Sequence, residues 1–259
     1  YDQASNEIVP DLAESWNISS DGTTLTFKLR SGVAFHKGYG PCTSEDVKFT
    51  LDRVLDPKTA SKYRGQLAGL VKVEAPDPTT VRLILDKPNA GFLHKVTAFN
   101  QGWIVSKKAI MELGEKATLT PIGTGPFVFD GWTPGSEVRL SANKAYFEGA
   151  PKFDNLVLRV IKDETAAAIA LEKGEIDIFF SLQQPQIIDR LKSKSNITVV
   201  NRQANHTINL VLNTTIKPLN DVRVRQAIAY GMNRKALVDG YFKGTKAPGV
   251  TVLTSSFAE

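Results

Sequence analysis

The side chains here whose types could do chemistry are three histidines (His36, His94 and His206), one cysteine (Cys42), a glycine-rich turn and numerous carboxylates. No two histidines stand at the helical spacing of a metal site, and there is no HExxH pattern or cysteine cluster, so the sequence predicts no zinc site made within this chain. A lone histidine is either a structural hydrogen-bonder or a ligand-facing group, and its type alone does not decide which. Cys42 lies in "GPCTSED", just ahead of a helix start. A helix N-terminus lowers a thiol pKa and activates it, whereas a small buried cysteine is inert. No GxSxG elbow is present, so the sequence offers no nucleophile of that kind. A glycosidase-like carboxylate pair is neither located nor removed by spacing.

The turn reads "PIGTGPFVFDGW" from Pro121 to Trp132. A phosphate loop needs backbone N–H groups converging at a helix N-terminus. Pro126 removes one of the nearest donors. No Lys-Ser or Lys-Thr follows the glycines, and the GxGxxG spacing is absent. Phe127 and Phe129 alternate with Val128 and Asp130, which predicts a short strand closed by Asp130-Gly131. The glycines then serve a tight backbone turn into a sheet.

The elements that must position these groups follow from periodicity. Residues 13–30 predict a hairpin about Asp21-Gly22, with Trp16 and Ile18 on one face and Leu25, Phe27 and Leu29 inward. "TSEDVKFTLDRVLD" predicts a helix with a Thr43/Asp46 capping box and a stripe of Val47, Leu51, Val54 and Leu55, ended by Asp56-Pro57. A second hairpin runs through "PDPTT", with Val71 and Val73 facing Val81, Leu83 and Leu85. A short helix from Lys107 to Leu113 has Ser106 as its cap and Gly114 past its end. "EVRLSAN" and "FDNLVLRVI" read as strands. Further on, "DETAAAIALEKG", "PQIIDRLKSK" and "NDVRVRQAIAYGMN" read as helices. Between and after the first two, "EIDIFF", "ITVVNR" and "HTINLVLN" read as buried strands. Hairpins therefore dominate the first half and strand–helix alternation the second, giving a mixed α/β chain whose first half is an antiparallel layer.

Bulk properties set the frame. The chain has 259 residues, 42% hydrophobic and 23% charged, an ordinary globular composition of one or two domains. No run is long enough to span a membrane as a helix, and no signal segment is visible. The opening "YDQASNEIVP" reads as the interior of something longer, a processed or cut product. The net charge is +5 and the pI about 9.2, but the lysines and arginines are scattered, and "LKSKS" and "DVRVRQ" are short. The pattern predicts a solvated surface and no nucleic-acid partner. A single cysteine precludes a disulfide within the chain.

Five segments in this order carry a resemblance: "PDLAESWNISSDGTTLTFKLRSGVAFHKG", "TSEDVKFTLDRVLDP", "IGTGPFVFDGW", "NKAYFEGAPKFDNLVLRVIKDETAAAIALEKGEIDI" and "LNTTIKPLNDVRVRQAIAYGMNRKALV". Each is weak alone. Together they resemble the family-5 extracellular solute-binding proteins of bacterial ABC importers, of the dipeptide, oligopeptide and nickel type, over essentially the whole chain. "GTGPF" matches a structural signature of that family. "FHKGYGPCTSEDV" carries an extra residue or two relative to the usual pattern, which alters a loop.

The resemblance implies a periplasmic-binding-protein-like, two-lobe α/β fold of the class II, cluster C type. Family members are considerably longer, so the expectation is an incomplete one. Residues 1–205 would form lobe I, with a hairpin-rich subdomain over about 11–120 and a mixed α/β part over about 121–205. Residues 206–259 would form a hinge strand and the opening of lobe II. The implied function is capture of an extracellular or periplasmic solute, a short peptide, by hinge closure and its delivery to a membrane permease, without catalysis and without a cofactor. The implied protein is a monomer, periplasmic or tethered to the membrane by a lipid. Nickel complexes, haem, glutathione, opines and oligosaccharides remain open as cargo, because one fold hosts many ligands. A sensory or chaperone-like module on the same scaffold and an enzyme such as a glycosidase are the competing classes.

By the same resemblance, the cleft-lining segment is the one just after "GEIDI": Phe179, Phe180, Ser181, Leu182 and Gln183. There an aromatic packs and a polar group hydrogen-bonds a ligand; the alternative is a strand end packed in the core. Asn205, His206 and Thr207 precede the apolar alternation of the hinge-side strand and would face the cleft, His206 otherwise being structural. Gln101 and Trp103 in "FNQGWIVS" complete the candidate set, with Trp103 either meeting the ligand or anchoring lobe I.

Overall fold

The computed structural model describes residues 7–97, 102–180, 182–200 and 208–242. The chain forms two compact units, Tyr1–Val160 and Ile161–Glu259.

The first unit opens with β1 (Ala13–Ile18) and β2 (Thr24–Leu29). The Asp21 carboxylate accepts from the Ser19 and Thr23 hydroxyls and the Thr23 N–H, while Gly22 takes φ +69°. That is the reason for the Asp-Gly pair: a side-chain acceptor and a left-handed residue close the turn together. These partners, Ser19 first, hold the Asp21 carboxyl down to about 2.

α1 (Ser44–Leu55) follows, its N-terminus closed by the reciprocal Thr43/Asp46 box. Then come β3 (Leu70–Asp77) and β4 (Thr80–Leu85). The four strands form one antiparallel sheet in the order β1-β2-β4-β3. Leu25, Phe27, Leu29, Val81, Leu83 and Leu85 point from it onto Val47 and Leu51 of α1, the main core. Phe92 and Val96 of a short helix, α2 (Phe92–Thr97), join that core; the sequence reading did not include α2.

Val71 is not an inward residue. A bulge between Leu70 and Lys72 breaks the alternation of β3. Leu70 and Val73 therefore share the buried face, and Val71 is 61% exposed. An extra residue in one strand flips every later side chain, which period-two reasoning cannot see.

α3 (Lys107–Leu113) is capped by Ser106, whose hydroxyl accepts from the Ala109 N–H at 3.1 Å, and ends at Gly114 with φ +55°. A second core of Val33, Phe35, Cys42, Ala109 and Ile122 lies beneath it.

β5 (Phe127–Thr133), β6 (Glu137–Ala142) and β7 (Asn155–Arg159) make a separate three-stranded antiparallel sheet. Asp130-Gly131 does not close β5. It sits at a bulge between Phe129 and Gly131, and the strand continues to Thr133. The turn is made by Pro134-Gly135, with Ser136 N–H donating to Thr133 O at 3.0 Å and Gly135 at φ +73°. Proline followed by a left-handed glycine is the demand of a type II turn.

The second unit contains α4 (Glu164–Glu172), α5 (Pro185–Lys192), α6 (Val222–Gly231) and α7 (Arg234–Gly240). The first three match their sequence patterns, and Asp221 caps α6, its side chain accepting from the Arg223 N–H. α7, capped by Asn233, was not expected. Ala168, Ile187 and Leu191 bring α4 and α5 together.

The expected buried strands differ from the structure. Residues 175–180, 197–200 and 208–213 belong to no helix or strand among the described residues. Ile178 is 66% exposed and Val211 86%. Alternating apolar residues specify which face a strand would bury, not that a neighbouring strand is there to receive it.

Candidate functional site

The segment after "GEIDI" is positioned by α4 and α5. Leu182 packs into their shared core. The Glu164 carboxylate, in the first turn of α4, accepts from two consecutive backbone N–H groups through Oε1: Gln183 at 2.6 Å and Gln184 at 2.8 Å. At the far end of α4, Glu172 pairs with Arg190 Nε of α5 at 3.0 Å. With Leu182 turned inward and the backbone held, Gln183 stands exposed. Phe179 is half-buried, and Phe180 presents its ring outward at 73% exposure. The alternative of a strand end packed in the core does not describe Phe180.

Trp103 belongs to the first unit. It emerges from a strap fixed on α1. Thr50 Oγ1 accepts from the Val105 N–H at 3.1 Å, and Asp46 Oδ1 accepts from the Lys107 N–H at 2.9 Å. Ile104, next to Trp103, packs against both cores of the unit. The indole is 61% exposed, while Ile104 is the residue beside it that packs into the unit. Gln101, Ser181, Asn205, His206 and Thr207 lie outside the described residues.

His36 and Cys42 have structural surroundings, while His94 is an exposed residue of α2. His36 is buried. Its backbone N–H donates to Gly123 O at 2.9 Å and its Nε2 lies 2.9 Å from Gly125 O. A carbonyl only accepts, so Nε2 carries the hydrogen. Asn143 Nδ2 donates to the same Gly125 carbonyl at 3.0 Å. The glycine turn is thus stitched by its carbonyls, the opposite polarity from an anion cradle. Cys42 is buried among Val33 and Phe35, and burial, with the Asp46 charge, pushes its thiol up to about 12. A thiol of that kind is protonated at neutral pH and is no nucleophile.

Hollows among the described residues of the first unit include the following pair. One of about 580 Å³ lies over the apolar face of the β5–β7 sheet, lined by His36, Phe127, Phe129, Trp132 and Leu140 among others. The other, of about 420 Å³, runs along α1 between Glu45 and Arg53, which contribute to its charged lining. Neither is lined by Trp103 or by Phe179–Gln183. Among the described residues no group of three or more His, Cys, Asp or Glu is placed to hold a metal ion. No helix among them is long and apolar enough to cross a membrane.

Residues 7–259 match the family described as bacterial extracellular solute-binding proteins, family 5 Middle. The chain belongs to this family. The chain is 33% identical over 264 residues to the di/tripeptide-binding protein 2 of Pseudomonas aeruginosa, covering 94% of its own length and 49% of that protein. It is similar to DppA of Helicobacter pylori, solved in complex with the peptide STSA, at 30% identity and a TM-score of 0.85 over 94% of this chain and 51% of that one. It is similar also to MoaA of A. tumefacien R10, solved with mannopinic acid, at 38% identity and a TM-score of 0.82 over 90% and 47% of the respective chains. The two-lobe binding-protein fold expected from the five motifs is the fold of these relatives. The chain spans about half the length of the curated relatives it matches.

Glu164 was absent from the sequence-derived site. The carboxylate and the amides it holds are 19 and 20 residues apart. The acid at the start of this helix is legible in the sequence, but nothing in the spacing announces a remote backbone partner.

Proposed function

We propose that this chain forms one wall of a ligand cleft in the substrate-binding component of an ABC importer, and that the cargo is a short peptide. The observation that carries the reading is the exposure of Phe180 and Gln183 on either side of a segment held by α4 and α5 through Leu182 and the Gln183 and Gln184 amides, in a chain of the solute-binding family. An aromatic ring beside a polar side chain on a fixed backbone suits a ligand with both apolar and amide groups. The name of the Pseudomonas relative and the peptide in the Helicobacter structure favour peptide cargo. Asn205, His206, Thr207, Gln101, Ser181 and Trp103 belong to the same proposed lining.

In this reading residues 1–205 are lobe I, and 206–259 are the hinge strand and the start of lobe II. That division describes a clamp with both halves and differs from the compactness boundary at Val160/Ile161. Closure about the hinge traps the ligand because the ligand makes better contacts in the closed form. The loaded monomer then meets its permease outside the cytoplasmic membrane. The protein binds its cargo and does not transform it, and no nucleic acid takes part. A second reading, an opine-type sugar–amino acid conjugate as cargo, is favoured by the mannopinic acid in the MoaA structure.

The test is a thermal-shift screen of the full-length protein against dialanine, trialanine, mannopinic acid, maltose and a nickel–histidine complex. A ligand at a hundredfold excess over its Kd stabilises by about 2.7 kcal/mol. A shift with the peptides supports the first reading and a shift with mannopinic acid alone the second. Product release from any of them sinks both.

A further inference from the structure

We propose that Glu164 is the positioning residue of the ligand-lining segment, setting the affinity of the site without touching the ligand; this rests on the proposed role of Phe179–Gln183. Glu164 Oε1 accepts from Gln183 N at 2.6 Å and Gln184 N at 2.8 Å. Gln184 is the N-cap residue of α5, yet its side chain makes no capping bond to that helix. It accepts instead from the Gln186 side-chain amide at 3.1 Å. In an ordinary capping box, an acid three residues into a helix reaches back to the N-cap N–H. Here that service comes from a different helix. Glu164 is itself anchored, since α4 is capped by Asp163, whose carboxylate accepts from the Ala166 N–H at 2.7 Å.

The consequence is geometric. Two charge-assisted bonds to one oxygen, and the packing of Leu182 against the core of Ala168, Ile187 and Leu191, fix the backbone from Leu182 to Gln184. Charge-assisted bonds are the stronger class. Phe180 is 73% exposed and belongs to no buried core cluster among the described residues. The orientation of Gln183 is inherited from the backbone that Glu164 holds. Without that anchor the segment must be ordered at the moment of binding, and the ordering cost is subtracted from affinity.

The experiment compares Glu164→Ala, Glu164→Gln and Phe180→Ala in the full-length protein. Amide hydrogen exchange is read at Gln183 and Gln184, and binding of trialanine and of mannopinic acid is read separately by calorimetry. The expected result for Glu164→Ala is faster exchange at both amides and about tenfold weaker binding, with the unliganded melting temperature little changed. Glu164→Gln keeps an acceptor oxygen and should recover most of the affinity, a rescue that a general loss of stability would not track. Unchanged exchange in Glu164→Ala overturns the proposal. Faster exchange with unchanged binding, while Phe180→Ala still weakens binding, overturns the positioning role and leaves the proposed function standing. Unchanged binding in both alanine variants, or a wild type that binds neither probe, overturns both.

Discussion

Asp46 offers a sharp quantitative check of how the first unit is held together. It is a buried carboxylate that serves two helices at once. Oδ2 accepts from the Thr43 N–H at 3.0 Å and the Thr43 hydroxyl at 3.1 Å, closing α1; Oδ1 accepts from the Lys107 N–H at 2.9 Å, at the first turn of α3. Asp46→Ala removes an N-terminal box, worth about 1 kcal/mol, and leaves the Lys107 amide short of a partner, at about 1–3 kcal/mol. The sum is about 3 kcal/mol. Asp46→Asn keeps one acceptor oxygen and turns the other into a donor, so it can serve one helix but not both, and should lose about half as much. Equilibrium urea denaturation followed by circular dichroism reads both. For a unit of this size about 3 kcal/mol corresponds to a melting-temperature drop of roughly 6–12 °C. An alanine variant within 1 kcal/mol of wild type, or an asparagine variant as stable as wild type, would refute the shared-carboxylate argument.

Other perturbations have equally definite signs. Thr50→Val keeps the shape of a buried residue but removes the acceptor of the Val105 N–H, and should cost about 1–2 kcal/mol in the same denaturation assay. The Cys42 thiol is pushed up to about 12, so above about pH 8.5 the unfolded chain loses a proton that the folded chain keeps. Wild-type stability should then fall by up to about 1.4 kcal/mol per pH unit relative to Cys42→Ala, and parallel pH profiles would contradict it. Asp21 and Asp77 are both held down to about 2, by Ser19 and by Thr80 foremost. Each favours the folded state above its unfolded pKa near 4, and that contribution disappears as pH falls towards 2. Asp21→Asn should therefore show a shallower acid limb than wild type, measured by melting temperature against pH. The isolated 259-residue chain should bind trialanine poorly, since in the proposed clamp it supplies too little of the opposing wall; micromolar binding by calorimetry would count against the clamp.

Legibility from sequence followed how local the determining physics is. The first hairpin and α1 were readable because Asp21-Gly22 and Thr43/Asp46 act within a few residues. Val71 was misassigned because a bulge is a property of two strands, and only one of them was being read. Asp130-Gly131 resembled a turn because the same dipeptide serves bulges, and the true turn at Pro134-Gly135 lay three residues on. The apolar runs about Ile178 and Val211 looked like buried strands, but burial needs a partner surface that the described residues do not provide. For the site, Phe179–Gln183 could be nominated by family resemblance, whereas the carboxylate that holds the segment could not, since its partners are backbone atoms with no sequence identity.

The stitch from His36 to the glycine turn has a consequence for biosynthesis. Every strand of the four-stranded sheet has been synthesised once Leu85 has been added. The His36–Gly125 bond joins residues 89 apart and must wait for another forty or so to leave the ribosome, at a synthesis rate of about 5–20 residues per second. The His36 ring therefore cannot meet this partner until some seconds after the last strand of the first sheet has been made, and the arrival of the glycines completes the stitch.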